Sequence, residues 1–345
     1  MELFCYQSEC GDALLIRYIG NDGSPHNIFL DSGYERTFRH ILRHEINSLF
    51  HAGESIDLWI VSHIHDDHIG GVMQYIKSVN NNKIADITKD WLYNPPRWYN
   101  SKSIRQGDTL YNFLLGDNKL PASDITSSKT LELFGLKATI LSPTPQVLEE
   151  LREKYKDERE LEKNESDSFV QIKSADFDYH RPLESFDIST FNEDTSLENR
   201  SSISALFEYN NRKILWLADS HPTDISNSLL QMGYSPDTPL QCDYVIVSHH
   251  ASKGNNSSEL YNIIKCPNYI ISADGENRHC LPTKEALSRI IRNKYRDLNS
   301  PYTLYFTHAT SNLKRIFSSD DDTIYRKWNF RPIFSTEKSI HITLG

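Results

Sequence analysis

A chain of 345 residues has room for one large domain or two of ordinary size. Its 15 Phe, 18 Tyr and 5 Trp suffice for a substantial core, and no window approaches the ~20 apolar residues of a membrane span. The net charge is −10, yet residues 146–198 alone hold 16 Asp and Glu against 7 Lys and Arg, so the remainder is near neutral and lacks the broad positive face of a nucleic-acid binder.

The N-terminus shows no basic stretch followed by an apolar one, and the five cysteines form no CxxC pair. A cytoplasmic protein with reduced thiols is the expectation. Glu2–Gln7, Ala13–Ile19 and His26–Leu30 predict strands, the last ending at Asp31-Ser32-Gly33. Tyr34–Phe50 has helical periodicity, with Phe38, Ile41, Leu42, Ile46 and Leu49 on one face. Leu58–Val61 reads as a buried strand, and straight after it come His63-Ile64-His65-Asp66-Asp67-His68. Gly70 and Gly71 then predict a tight turn before a helix over Val72–Val79. Imidazoles and a carboxylate gathered in one loop suit zinc or a similar divalent cation; a solvated turn needs no histidines at this spacing.

The aromatic run Trp91–Tyr99 contains two prolines, which exclude a helix interior. It predicts a loop that packs on the fold, with stacking on a planar substrate as the alternative. Leu110–Leu115 predicts a short helix and Leu131–Leu141 a strand. Val147–Lys163 reads as a solvated helix. From there to residue 198 the composition predicts a partly ordered acidic insertion, at about 146–198, in a single domain over 1–345. A lid and a docking arm for a protein partner are both open.

The second half repeats the pattern of buried strand followed by polar groups. Ile214–Ala218 ends in Asp219, with His221 two positions on. Tyr244–Val247 ends in Ser248-His249-His250-Ala251-Ser252-Lys253. Tyr269–Ala273 leads to Asp274 and then to His279, Leu281 and Pro282. Thr283–Arg292 predicts a helix, and Thr303–Phe306 and Ser339–Leu344 predict closing strands.

His63-x-His65-x-Asp67-His68 resembles the signature of the metallo-β-lactamase-fold hydrolases. Gly11–Ile16, the Asn199–Phe207 stretch and Ser248–Ser252 resemble one branch, which contains the hydrolase domain of DNA-uptake competence proteins. The resemblance implies an α/β (α+β) fold, an αββα sandwich of two mixed β-sheets flanked by helices. It implies two divalent ions, Zn2+ expected and Mn2+ the alternative, with His63 and His65 on the first. Asp67, His68 and His249 are expected on the second, Asp219 between the two, and Asp31 as a brace that does not ligate. A histidine that many members place near Asn199 is missing, which leaves either a poorer first site or a contribution from His221. Asp67, His250, Lys253 and His279 are the expected catalytic residues, with His250 a proton donor or substrate contact and Lys253 a phosphate contact.

The implied activity is hydrolysis by a metal-activated hydroxide, with a nucleic acid or nucleotide as substrate: a phosphodiesterase or nuclease. Hydrolysis of a small ester or lactone is a second expectation. A metal-binding subunit of a larger complex with reduced activity, with bacterial defence as one setting, is a third.

Overall fold

The apolar runs of both halves become strands buried on both faces, which is why they read as near-continuous hydrophobic stretches. The computed structural model describes residues 1–95, 105–157 and 177–345. In chain order, the first half holds strands β1 (Glu2–Tyr6), β2 (Ala13–Ile19), β3 (Pro25–Asp31), β4 (Ile56–Ile60) and β5 (Thr88–Leu92). Between them run helices α1 (Glu35–Thr37), α2 (Arg43–His51), which follows a π-type turn at Phe38–Leu42, and α3 (Asp66–Asn80). Next come α4 (Arg105–Gly116), β6 (Thr130–Leu133), β7 (Leu136–Ser142), α5 (Pro145–Asp157) and α6 (Leu197–Arg200). The second half holds β8 (Ser204–Tyr209), β9 (Arg212–Trp216), α7 (Pro222–Gln231), β10 (Leu240–Gln241), β11 (Tyr244–Ile246) and α8 (Ser258–Asn262). It ends with β12 (Ile264–Lys265), β13 (Asn268–Ile271), α9 (Lys284–Ile291), β14 (Tyr302–Phe306), α10 (Ile324–Lys327), β15 (Phe330–Phe334) and β16 (Ser339–Thr343).

Two mixed sheets result, in the orders β16-β1-β2-β3-β4-β5 and β15-β14-β13-β11-β9-β8-β7-β6, beside a short ribbon of β10 and β12. Side chains alternate between faces with period two, and this sorts the core into layers. Leu14, Ile16, Leu30 and Ile60 meet Ala205, Phe207, Trp216 and Ile270 in an apolar layer between the sheets. The intervening residues Leu15, Phe29 and Trp59 pack under the helices of the first half. Leu206, Leu215, Val245 and Ile271 do the same under those of the second. The helix–sheet–sheet–helix sandwich expected from the resemblance is the observed fold.

Parallel pairing of β3 with β4, and of β11 with both β9 and β13, brings their carboxyl ends out on one side. Crevices beyond the carboxyl ends of parallel strands are where α/β sheets place their sites. Asp31, His63, Asp219, His249 and Asp274 all leave the sheets there. No helix among the described residues is long and apolar enough to cross a membrane.

Candidate metal centre

The loop after β4 is built around one carboxylate. Asp31, at the end of β3 with φ 53°, is fully buried. Its oxygens accept hydrogen bonds from Ser62 N and Ser62 Oγ, both at 2.7 Å, and its main-chain carbonyl accepts from Trp59 Nε1 at 3.1 Å. His68 Nδ1 lies 2.7 Å from Asp31 Oδ2, so Asp31 holds the outer ring nitrogen and leaves Nε2 aimed inward.

Gly70 and Gly71 do not make a turn. They lie inside α3, which already starts at Asp66. A Cβ on Gly71 would collide with the Ser32 carbonyl, and one on Gly70 would sit 2.9 Å from Glu35 N. The glycines let the helix press against the end of β3, and Gly71 N donates to Gly33 O at 2.8 Å.

Asp219 completes the centre from the other half, and it faces four histidines. Its Oδ1 lies 3.2 Å from His68 Nε2 and 3.6 Å from His250 Nε2. Its Oδ2 lies 3.7 Å from His63 Nε2 and 3.6 Å from His249 Nε2. Asp67 Oδ2 stands 3.5 Å from His250 Nε2 and 3.9 Å from His68 Nε2. Each outer nitrogen is occupied: His63 Nδ1 by Ser62 and Ser202 hydroxyls at 3.0 and 3.1 Å, and His250 Nδ1 by donation to Ser272 O at 2.9 Å. By contrast, His63 Nε2, His68 Nε2, His250 Nε2 and both Asp219 oxygens are buried without a hydrogen-bond partner among the described residues. Burying such atoms unpaired costs several kcal/mol unless something satisfies them together. A pair of cations fits that requirement. Asp67, His68 and His250 form one cluster of metal-competent atoms, and His63, His68 and Asp219 another.

The grouping departs from the expectation in one respect. His250, expected as a proton donor or substrate contact, stands with Asp67 and His68, while His249 faces the oxygen of Asp219 that His63 also faces. The reason is local backbone. His249, His250 and Ala251 have φ of 46°, 53° and 62°. A left-handed turn splays the two adjacent rings toward opposite oxygens of Asp219, where an extended chain would send them to opposite faces of the sheet. His249 thereby occupies the side that lacks the expected histidine near Asn199. His65 stands beside His63, ring centroids 4.7 Å apart.

These groups open into a cleft of about 820 Å³. His65, Asp67, His249 and His250 line its floor, and His279 lies on its wall beside Arg278, whose Nε donates to His279 Nε2 at 3.0 Å. Lys253 is exposed and absent from the lining; its carbonyl accepts from Arg289 Nη1. His221 is buried and faces Asp194, 3.7 Å away. Of the aromatic run, residues 96–99 lie outside the described residues. Trp91 is core, stacked on Trp59 at 5.0 Å. The sequence reading assigned no role to Asp12, Asp194 or Asn255, all beside the centre. Only Asp12 carried a signal, the Gly-Asp step after β1.

Charge is strongly coupled here. Burial opposes ionisation of Asp219, yet His249, His68 and His250 hold its carboxyl well below the usual range. Burial also opposes protonation of His68 and His250, but Asp219 and Asp31 push His68 far up, and Asp219, Asp67 and Asp12 raise His250 to about 8. His63 falls well below its ordinary value through burial and the neighbouring His68 and His65. Protons on His68 and His250 thus supply the positive charge that the buried carboxylates demand. Bound cations would displace them.

Residues 11–163 match the model of the Metallo-beta-lactamase superfamily. The fold is the metallo-β-lactamase fold. No curated protein matches the sequence. Among solved structures the chain is similar to Zn2+-bound PqqB from Methylobacterium extorquens (8% identity, 100% of each chain, TM-score 0.44). It is also similar to the metallo-β-lactamase-fold protein YhfI from Bacillus subtilis (11% identity, 83% of this chain and 91% of that one, TM-score 0.42). A third is CmlA, a diiron β-hydroxylase from Streptomyces venezuelae (13% identity, 99% of this chain, TM-score 0.45), of which this chain spans 54%. The matched part of the superfamily model contains the His63–His68 loop; Asp219, His249 and His250 come from the half beyond it.

Proposed function

We propose that the protein is a metal-dependent hydrolase with two divalent cations, and that its substrate is a small phosphodiester such as a nucleotide or short oligonucleotide. His63, His65 and His249 would hold one cation and Asp67, His68 and His250 the other, with Asp219, which faces both groups, contributing to the site. The observation that carries the reading is the set of five unpartnered buried atoms divided around Asp219. Two such cations, when bound, make a coordinated water acidic enough to ionise near neutral pH and clamp both oxygens of an in-line displacement, which suits phosphodiesters.

The chain's own residues do the rest. Asp31, Ser272 and the Ser62 and Ser202 hydroxyls hold the rings of His68, His250 and His63 in their inward orientation. His279, on the cleft wall, is placed to deliver a proton to a leaving oxygen. The motif resemblance to the competence-protein branch also supports phosphodiester cleavage. Among the described residues, Glu9, Asp66, Asp274 and Glu276 line the cleft against one cationic side chain, Arg278. That rim opposes a long polyanion and favours a substrate with few phosphates. The same rim favours a second reading, an uncharged ester or lactone.

The test is metal analysis with a hydrolysis panel: bis(p-nitrophenyl) phosphate, dinucleotides, single- and double-stranded DNA, p-nitrophenyl acetate and a lactone, each with Zn2+ and Mn2+. Cleavage of the small phosphodiesters, lost by 10³-fold or more in Asp67→Ala and Asp219→Ala, is the expected result. Ester or lactone turnover alone would transfer the assignment to the second reading. Inertness toward every substrate despite two bound cations would remove the enzymatic assignment.

A further inference from the structure

We propose that Asp194, carried to the site by the end of the acidic segment, is a positioning residue that sets which ring nitrogen of His249 faces the centre. This rests on the reading of His249 as a ligand. The rings of His68 and His250 are fixed by partners that only accept, the Asp31 carboxylate and the Ser272 carbonyl. His249 is different. Its Nδ1 meets a side-chain amide, Asn255 Oδ1, at 2.7 Å. An amide can present either oxygen or NH2, so by itself it does not choose a tautomer.

Asp194 makes the choice together with the main-chain carbonyl of Asp219. A carboxylate only accepts, and Asp194 Oδ2 takes Asn199 Nδ2 at 2.6 Å and Asn255 Nδ2 at 3.3 Å. The second hydrogen of Asn255 goes to the Asp219 carbonyl at 3.0 Å. With both amide hydrogens committed, the Asn255 oxygen must face His249, so Nδ1 carries the ring proton and Nε2 turns its lone pair toward Asp219 Oδ2. The 3.4 Å approach of Asn199 Nδ2 to the same ring nitrogen is the weaker contact and yields to this arrangement. Asn255 is 0% exposed and Asn199 4%, so neither amide can turn to water instead. Asp194 is itself anchored, its N–H donating to Gly254 O at 2.9 Å and its Oδ1 accepting from Ser196 N at 3.0 Å. Part of the acidic segment is thus wired into the metal centre rather than appended to it.

The isosteric variant Asp194→Asn separates orientation from packing, because a second amide can donate where the carboxylate accepts. Two measurements on the full-length chain test it. In metal-free protein, imidazole 15N NMR, with His249 identified by loss of its signals in His249→Gln, reports the tautomer. The expected result is a dominant Nδ1–H form that becomes mixed in Asp194→Asn. Titration with Zn2+ or Co2+ against a competing chelator reports affinity. The expected result is one of two binding steps weakened 10–100-fold and the other unchanged, the usual size for losing a ligand's outer partner. An unaltered His249 tautomer in the variant overturns the proposal, as do two binding steps within twofold of wild type. If wild type binds no cation, the metal reading fails while the tautomer measurement still decides the role of Asp194. Should Asp194→Asn fail to fold, the same NMR measurement on Asn199→Asp, which leaves Asn255 as the one side-chain amide donating to Asp194 Oδ2, must still show the Nδ1–H form.

Discussion

A methyl group at residue 11 would reach the centre through the main chain. A Cβ built on Gly11 collides with the carbonyl oxygen of Asp67, and the neighbouring Asp12 N–H donates to that same oxygen at 3.2 Å. Neither atom is the end of a flexible side chain, so the backbone must move. Gly11→Ala is therefore expected to displace Asp67 and cost about 1–3 kcal/mol, the usual range for overpacking. Calorimetric melting together with metal stoichiometry checks this; an unchanged melting temperature with both cations retained would show that the close approach is immaterial. At this scale the sequence was readable where the candidate ligands are neighbours in the chain, as His63, Asp67 and His68 are. It divided His249 and His250 the other way, because their placement depends on left-handed backbone positions that no side-chain pattern announces. Asp194 was equally hidden, one carboxylate among many in an acidic stretch without periodicity.

Elements were legible where burial is two-sided and missed where a turn interrupts an apolar run. Leu131–Leu141 reads as one strand, but Phe134 and Gly135 both take positive φ, 48° and 93°, and fold it into the β6–β7 hairpin. A two-residue turn of that hand suits the twist of antiparallel strands. The glycines of α3 misled in the opposite sense, since close packing and turning call for the same residue. The acidic stretch around 177–198 is held by contacts its composition does not reveal. The Asp178 carboxylate accepts from Lys284 N and Glu285 N at 2.8 and 2.9 Å, capping α9. Leu183 N donates to Asp320 Oδ1 at 2.5 Å, and Asp320 Oδ2 meets Lys284 Nζ at 2.5 Å. Both members of that ion pair are buried, at 0% and 2% exposure. Removing one partner strands a buried charge, so Lys284→Ala is expected to cost about 3–5 kcal/mol. Denaturant unfolding measures it. A change below about 1 kcal/mol, the value of a surface pair, would mean the pair is solvated in solution.

On the scale of the whole molecule, the candidate metal centre lies at one edge of a seam, where bound cations would act as a clamp. Its groups come from both sheets: His63, Asp67 and His68 from the first, Asp219, His249 and His250 from the second. The apolar layer between the sheets joins the halves independently of any cation, as do the bonds from Trp216 Nε1 to Asp12 Oδ2 at 3.1 Å and from Ile203 N to Ser62 O at 3.0 Å. Chelation should therefore loosen the edge without unfolding the chain. A cation that binds only the folded state adds about 2.7 kcal/mol at a concentration a hundredfold above its Kd. Two of them, at roughly 2 °C per kcal/mol for a large single domain, give a fall in melting temperature of about 11 °C on adding EDTA. Excess Zn2+ should restore it. Asp219→Ala provides the control, since removing the carboxylate shared by both groups should abolish most of the EDTA-dependent shift. Wild type that melts at the same temperature with and without chelator would mean that the buried, unpartnered atoms around Asp219 are satisfied by something other than metal.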